Sequence, residues 1–216
     1  MAETRARTTW PMERYAPLTG VGAVVCWVVG LIIMGDLSNK DKGTELLAYY
    51  KAHDGRILLG TIIWVIGTLL FFWFLGSLRS RLAAAEGGDL RLTTLAFGGG
   101  VATAICIALN VGPDAAAAIS KDDLDASAAR AIHTLGDAFF LGAEYFLVIL
   151  LVATALNALR TRVFPAWYAW LSLLIALVLL IAIIGWAALI FAFPIWVLIT
   201  VFLLWRPATA ARTANP

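Results

Sequence analysis

Glu144 is the residue of this chain whose type and position most demand an explanation. It lies inside an apolar run from about Ala138 to Leu159, and an ionised carboxylate inside hydrocarbon costs several kcal/mol unless it is paired or hydrated. A carboxyl at such depth suits proton coupling or cation binding. At 100° per residue, His133, Asp137 and Glu144 fall within about 40° of one another on a helix, so they form one polar stripe. Asn110 shares a face of the preceding run with Gly99, Thr103 and Cys106, whose small side chains let helices approach closely, and Asp114 follows near its outer end. A first loop adds Asp36, His53 and Arg56. Glu144, Asp137, His133, His53, Arg56, Asp114, Asn110 and Asp36 are therefore the candidate site, an acidic and titratable cluster in the outer half of a bundle. A blander reading stands beside it, in which Glu144 is protonated or pairs with Arg56 and simply locks helices together, while His133 and Asp137 are solvated or capping groups. Two histidines with carboxylates could ligate a divalent metal, but no HxxxH pair occupies one helix, so no metal is expected. Both histidines fall at the same membrane edge, which argues against bis-His haem, and no other cofactor signature is present. No serine or cysteine sits beside a histidine as a nucleophile would, and Cys26 and Cys106 read as small buried hydrophobes, so no catalytic residue is assigned.

The elements that position these residues are transmembrane helices. Hydrophobic residues make up 62% of the chain and charged residues only 14%, far from the soluble norm of about half and a quarter. The net charge of +2 comes from basic residues in short groups between apolar runs, which implies no nucleic-acid partner. Runs of about 20 apolar residues predict an all-α, polytopic transmembrane bundle of about six spans, near 18–35, 57–78, 92–111, 138–159, 167–184 and 189–205. The last two come from one uncharged tract, Trp167 to Trp205, which as a single helix would reach nearly twice the hydrocarbon thickness. A tight hairpin is expected near Gly185 to Ala188, with Pro194 kinking the final span or starting its core segment. A re-entrant arrangement is the alternative. The first run is too long for a typical signal-peptide core and precedes no small-x-small cleavage site, so it reads as a retained helix.

Basic residues concentrate in the segments that face inside if the N-terminus does: Arg79, Arg81, Arg91, Arg160 and Arg162 are among them. That bias predicts cytoplasmic termini. Trp73, Trp167, Trp170 and Trp205 fall at the same interface, where amphipathic rings are favoured. The outer loops, 36–56 and 112–137, each carry a helical pattern. Thr44 is the expected N-cap of a short interfacial helix through His53, with Leu46, Leu47 and Tyr50 at helical spacing, and Asp125 or Ser127 would cap a helix continuing into the fourth span. Leu75-Gly-Ser-Leu-Arg-Ser-Arg-Leu82 parallels Leu156-Asn-Ala-Leu-Arg-Thr-Arg-Val163, and His53 and Cys26 parallel His133 and Cys106 at similar offsets. These matches suggest a tandem duplication of the first two helical hairpins. Arg-rich turns imposed by orientation alone are the competing explanation.

Leu47-Ala-Tyr-Tyr-Lys-Ala-His-Asp-Gly-Arg56 and the PheLeuGlySerLeuArgSerArgLeu segment ending at Leu82 resemble a large set of uncharacterised bacterial integral membrane proteins similar to the domain-of-unknown-function 4386 group. The resemblance implies a polytopic protein of the bacterial cytoplasmic (inner) membrane and carries no catalytic residue. Two functions follow as expectations: a small permease, channel or proton/cation-coupled carrier using the outer polar cluster, or a non-catalytic subunit holding a membrane partner or a second copy of itself. The expected partners are the lipid bilayer, a small ion or solute, and a membrane protein.

Overall fold

A computed structural model of the chain describes residues 15–35, 37, 42–181 and 184–205. Within them the protein is all helical, with five helices long and apolar enough to cross a membrane. A 3-10 turn at Ala16–Leu18 leads into α1, Thr19–Met34. Next come α2, Gly43–Glu86, then α3, Arg91–Asn110, and the short α4, Gly112–Ile119. After α5, Ala126–Thr161, the chain continues through α6, Ala166–Leu179, and α7, Gly185–Ala187. A π-helical stretch, Ala188–Ala192, joins α7 to α8, Phe193–Trp205. A multi-pass membrane protein follows, with large aliphatic side chains such as Ile32, Ile62, Leu69 and Ile195 exposed where lipid would cover them.

With 44 residues, α2 extends roughly 66 Å, and the 36 residues of α5 extend roughly 54 Å, both well beyond a hydrocarbon core of about 30 Å. Their first turns, 43–56 and 126–137, therefore stand outside the bilayer and with α4 form a cap. Leu46, Tyr50, Ile57, Ala117, Ala118 and Ala129 give this cap a small core of its own. The segment ending at His53 does not lie flat as a separate interfacial helix: it is continuous with the second span and bends at His53, whose φ of −133° and ψ of 22° leave helical values. Nor is Thr44 its N-cap. Lys42 holds that position in extended conformation, with no side-chain cap bond. Asp125 does cap α5, accepting from the Ala128 amide at 2.8 Å.

Glycines set the closest helix approaches. A methyl group on Gly60 would lie 2.8 Å from the Gly30 carbonyl oxygen and 2.4 Å from Met34 Cγ, so α1 and α2 touch through bare backbone. On α3, a methyl on Gly99 would meet the Leu150 amide nitrogen at 2.7 Å, and the face running through Thr103, Cys106 and Asn110 packs along α5.

The last hairpin turns earlier than expected. Helix α6 ends at Leu179, and Gly185 opens the next helix instead of making the turn. With only 14 residues, α6 rises roughly 21 Å, short of the hydrocarbon thickness. Leu180, Ile181 and Ile184 at the reversal are aliphatic and exposed, as suits a turn immersed in lipid. Buried hydrogen bonds fasten the two arms in antiparallel register, Tyr168 Oη to Thr200 Oγ1 at 2.7 Å and Trp196 Nε1 to Ser172 Oγ at 2.8 Å. Pro194, second residue of α8, follows directly on the π stretch. Proline cannot donate to the preceding turn and crowds its carbonyl, and the wider π turn accommodates both defects.

Candidate functional site

The candidate residues separate into three groups. Asp114 organises the first. It sits in the first turn of α4, only 9% exposed, and its Oδ1 accepts from Tyr50 Oη of α2 at 2.6 Å and pairs with His133 Nδ1 of α5 at 2.9 Å. One carboxylate oxygen thus ties three helices of the cap. Asn110 reinforces the arrangement from α3, donating from Nδ2 to the Gly136 carbonyl at 3.0 Å, and the missing side chain of Gly136 admits the Asn110 backbone. Asp137 is exposed on the flank of this group, close enough for its charge to act on Tyr50 and His133. Lys121 and Asp54 pair across the same cap.

Electrostatics in the cap follow from this geometry. The hydrogen bond from His133 to Asp114, opposed in part by burial, raises the His133 pKa above its ordinary value of 6.5. Burial, and then the Asp114 charge, pushes the Tyr50 phenol far up, so it remains a donor. Because the folded His133 pKa lies above the unfolded one, the stabilisation by its charge is complete below about pH 6.5 and is lost as pH rises through the raised value. Backbone amides of α4 are therefore expected to exchange with deuterium more slowly at about pH 6 than at about pH 9, after correction for intrinsic exchange, and His133→Asn should flatten that dependence. Equal protection across the range would contradict the charged pair.

His53 and Arg56 belong to a second group with a different task. The His53 ring stacks on Tyr49 at 4.3 Å between centroids, and its Nδ1 lies 3.3 Å from the Tyr49 carbonyl, serving the backbone at the bend. Tyr49 Oη donates to the Met34 carbonyl at 2.7 Å and Arg56 Nε to the Ile33 carbonyl at 3.2 Å. Both satisfy the last carbonyls of α1, which have no partner within their own helix. Arg56 does not pair with Glu144. Asp36 lies outside the described residues.

Glu144 stands alone in the third group. It is 3% exposed, and among the described residues it has no hydrogen-bond or ion-pair partner. Its carboxyl abuts the break between α6 and α7: a methyl on Gly185 would lie 2.8 Å from Glu144 Oε2 and 2.9 Å from the Leu179 carbonyl oxygen. Glycine is required at 185 by that approach. The described residues bring together no group of three or more His, Cys, Asp or Glu side chains able to hold a metal. A hollow lined by Leu75, Leu78, Arg79, Phe97 and Leu150 has no water-sized interior, and Glu144 is not among its lining residues.

Sequence reasoning passed over a polar knot at the other end of the bundle. Glu86 accepts from the Leu92 and Thr93 amides at 2.8 Å each and from Thr93 Oγ1 at 2.6 Å, while buried Asn157 of α5 donates to it at 3.1 Å. A carboxylate closing the first turn of the next helix is favoured by that helix's dipole. Its signal is faint: Glu86 and Thr93 are seven residues apart across a Gly-Gly turn. Compared with family models, with curated proteins and with solved structures, the chain matches none.

Proposed function

We propose that this protein is a small proton- or cation-coupled carrier in which Glu144 is the coupling group. The observation that carries this reading is a buried carboxyl without a partner among the described residues, set against a break between two helices at membrane depth. Carriers place ion sites at such broken helices, where backbone groups are freed to act as ligands. In reconstituted vesicles, a panel of small cations and solutes driven by imposed pH or sodium gradients should include at least one whose uptake exceeds that of empty vesicles and falls about tenfold or more in Glu144→Gln. Uptake unchanged by that substitution would remove Glu144 from the path.

A second reading, a non-catalytic subunit holding a partner membrane protein, is supported by the hollow lined by Leu75, Leu78, Arg79, Phe97 and Leu150 having no water-sized interior to pass a solute. Recovery of a stoichiometric second protein after gentle detergent extraction would support it, and a solitary monodisperse species would count against it. The bacterial cytoplasmic membrane, cytoplasmic termini, a tandem origin for the first two hairpins and kinship with the domain-of-unknown-function 4386 group belong to the same proposal. No catalytic role is proposed.

A further inference from the structure

The Glu144 carboxyl and the Leu179 carbonyl flank one hydrogen-only face of Gly185. Each lies within 2.9 Å of the point a methyl group there would occupy, so one oxygen from α5 and one from the last turn of α6 border the same spot. Both are electronegative. The carbonyl also stands at the end of α6 that carries the negative pole of the helix dipole. Two such groups bordering one spot in a low-dielectric interior repel unless a positive charge is held beside them. No Lys, Arg or His among the described residues supplies it, for Glu144 has no ion-pair partner there and no other charged side chain acts on it.

From this geometry we infer that Glu144 and the Leu179 carbonyl form a seat for one monovalent cation, a proton or a sodium ion. A carbonyl oxygen has two lone pairs, so Leu179 can accept an O–H from Glu144 or ligate a metal ion. Gly185 keeps the seat open, since any side chain there would press on both oxygens. The inference deepens the carrier reading and rests on it for its biological meaning. Occupancy is nevertheless measured without transport, so a failed seat and a failed carrier give different results.

The test uses the full chain purified in detergent, with the unfolding midpoint followed by tryptophan fluorescence. Sodium chloride is titrated against choline chloride at matched ionic strength in alkaline buffer, and pH is then lowered in choline alone. Ligands that bind only the folded state raise its midpoint, here by about 5 °C at saturation. A sodium response in the wild type that is absent from Glu144→Gln assigns the seat to sodium. An acid response larger in the wild type than in Glu144→Gln assigns it to the proton, because the His133 and Asp114 pair is common to both proteins. Equal behaviour of the two proteins in both titrations overturns the seat. If Glu144→Gln does not fold, the wild-type infrared difference spectrum for the same exchanges decides: a shifted carboxyl band supports the seat, and an unchanged one overturns it.

Discussion

Gly60→Leu is expected to separate α1 from α2 and to destabilise the protein by about 3 kcal/mol. The leucine side chain would have to occupy space held by Met34 Cγ, the Gly30 carbonyl and the Met34 amide nitrogen, the last at 3.0 Å. Two of these three are backbone atoms of α1, which cannot rotate aside, so the whole helix must shift. Lipid offers no hydrophobic driving force to hold displaced helices together, and close van der Waals packing carries that burden. Gly76, in the same helix, has open space around it and provides the control: Gly76→Leu should be neutral or slightly stabilising, because leucine forms helix better than glycine. Unfolding midpoints in a denaturing-detergent titration compare the two. Similar midpoints for both variants would mean that the α1–α2 contact through Gly30 and Gly60 is not a stabilising one.

Asp114→Ala should loosen the cap while leaving the spans intact. It removes the acceptor for both Tyr50 and His133, leaving one fully buried and one half-buried donor without their partner, at a cost of about 3 kcal/mol. Hydrogen exchange locates the loss. Amides of α4 and of the first two turns of α5 should exchange roughly a hundredfold faster, while those between 138 and 159 keep their protection. Tyr50→Phe removes only one of the two bonds and should give a smaller acceleration in the same amides. Uniform acceleration across α5 would show that the cap and the bundle unfold as one unit, contrary to the separate hydrophobic core of the cap.

Much of the architecture was legible because lipid imposes simple rules. Apolar runs of the right length marked the spans, Asp125 announced the start of α5 as an N-cap should, and Gly99, Thr103, Cys106 and Asn110 shared the face that packs on α5. Proximity of Asp114 and His133 followed from their places at adjoining helix ends. Other features left no local trace. Tyr49 and Arg56 end α1 from a different helix, and a cap supplied through space has no sequence spacing to betray it. Tyr50 reads as an interfacial aromatic until the fold carries α4 over it. The sequence draws the turn to Gly185 for a related reason, since a long aliphatic tract has no other punctuation, whereas in the fold this residue opens α7. That glycine answers to the Glu144 carboxyl.

The shortness of α6 reaches beyond the protein to the membrane around it. Trp170, Leu174 and Leu177 point outward along a helix of 14 residues, so the neighbouring lipids meet an apolar wall several ångströms lower than elsewhere on the perimeter. Acyl chains on that flank must splay or compress to avoid exposing hydrocarbon, at a fraction of a kcal/mol per ångström. The protein thus carries a built-in dent in the bilayer, and its energy depends on how thick a membrane it inhabits.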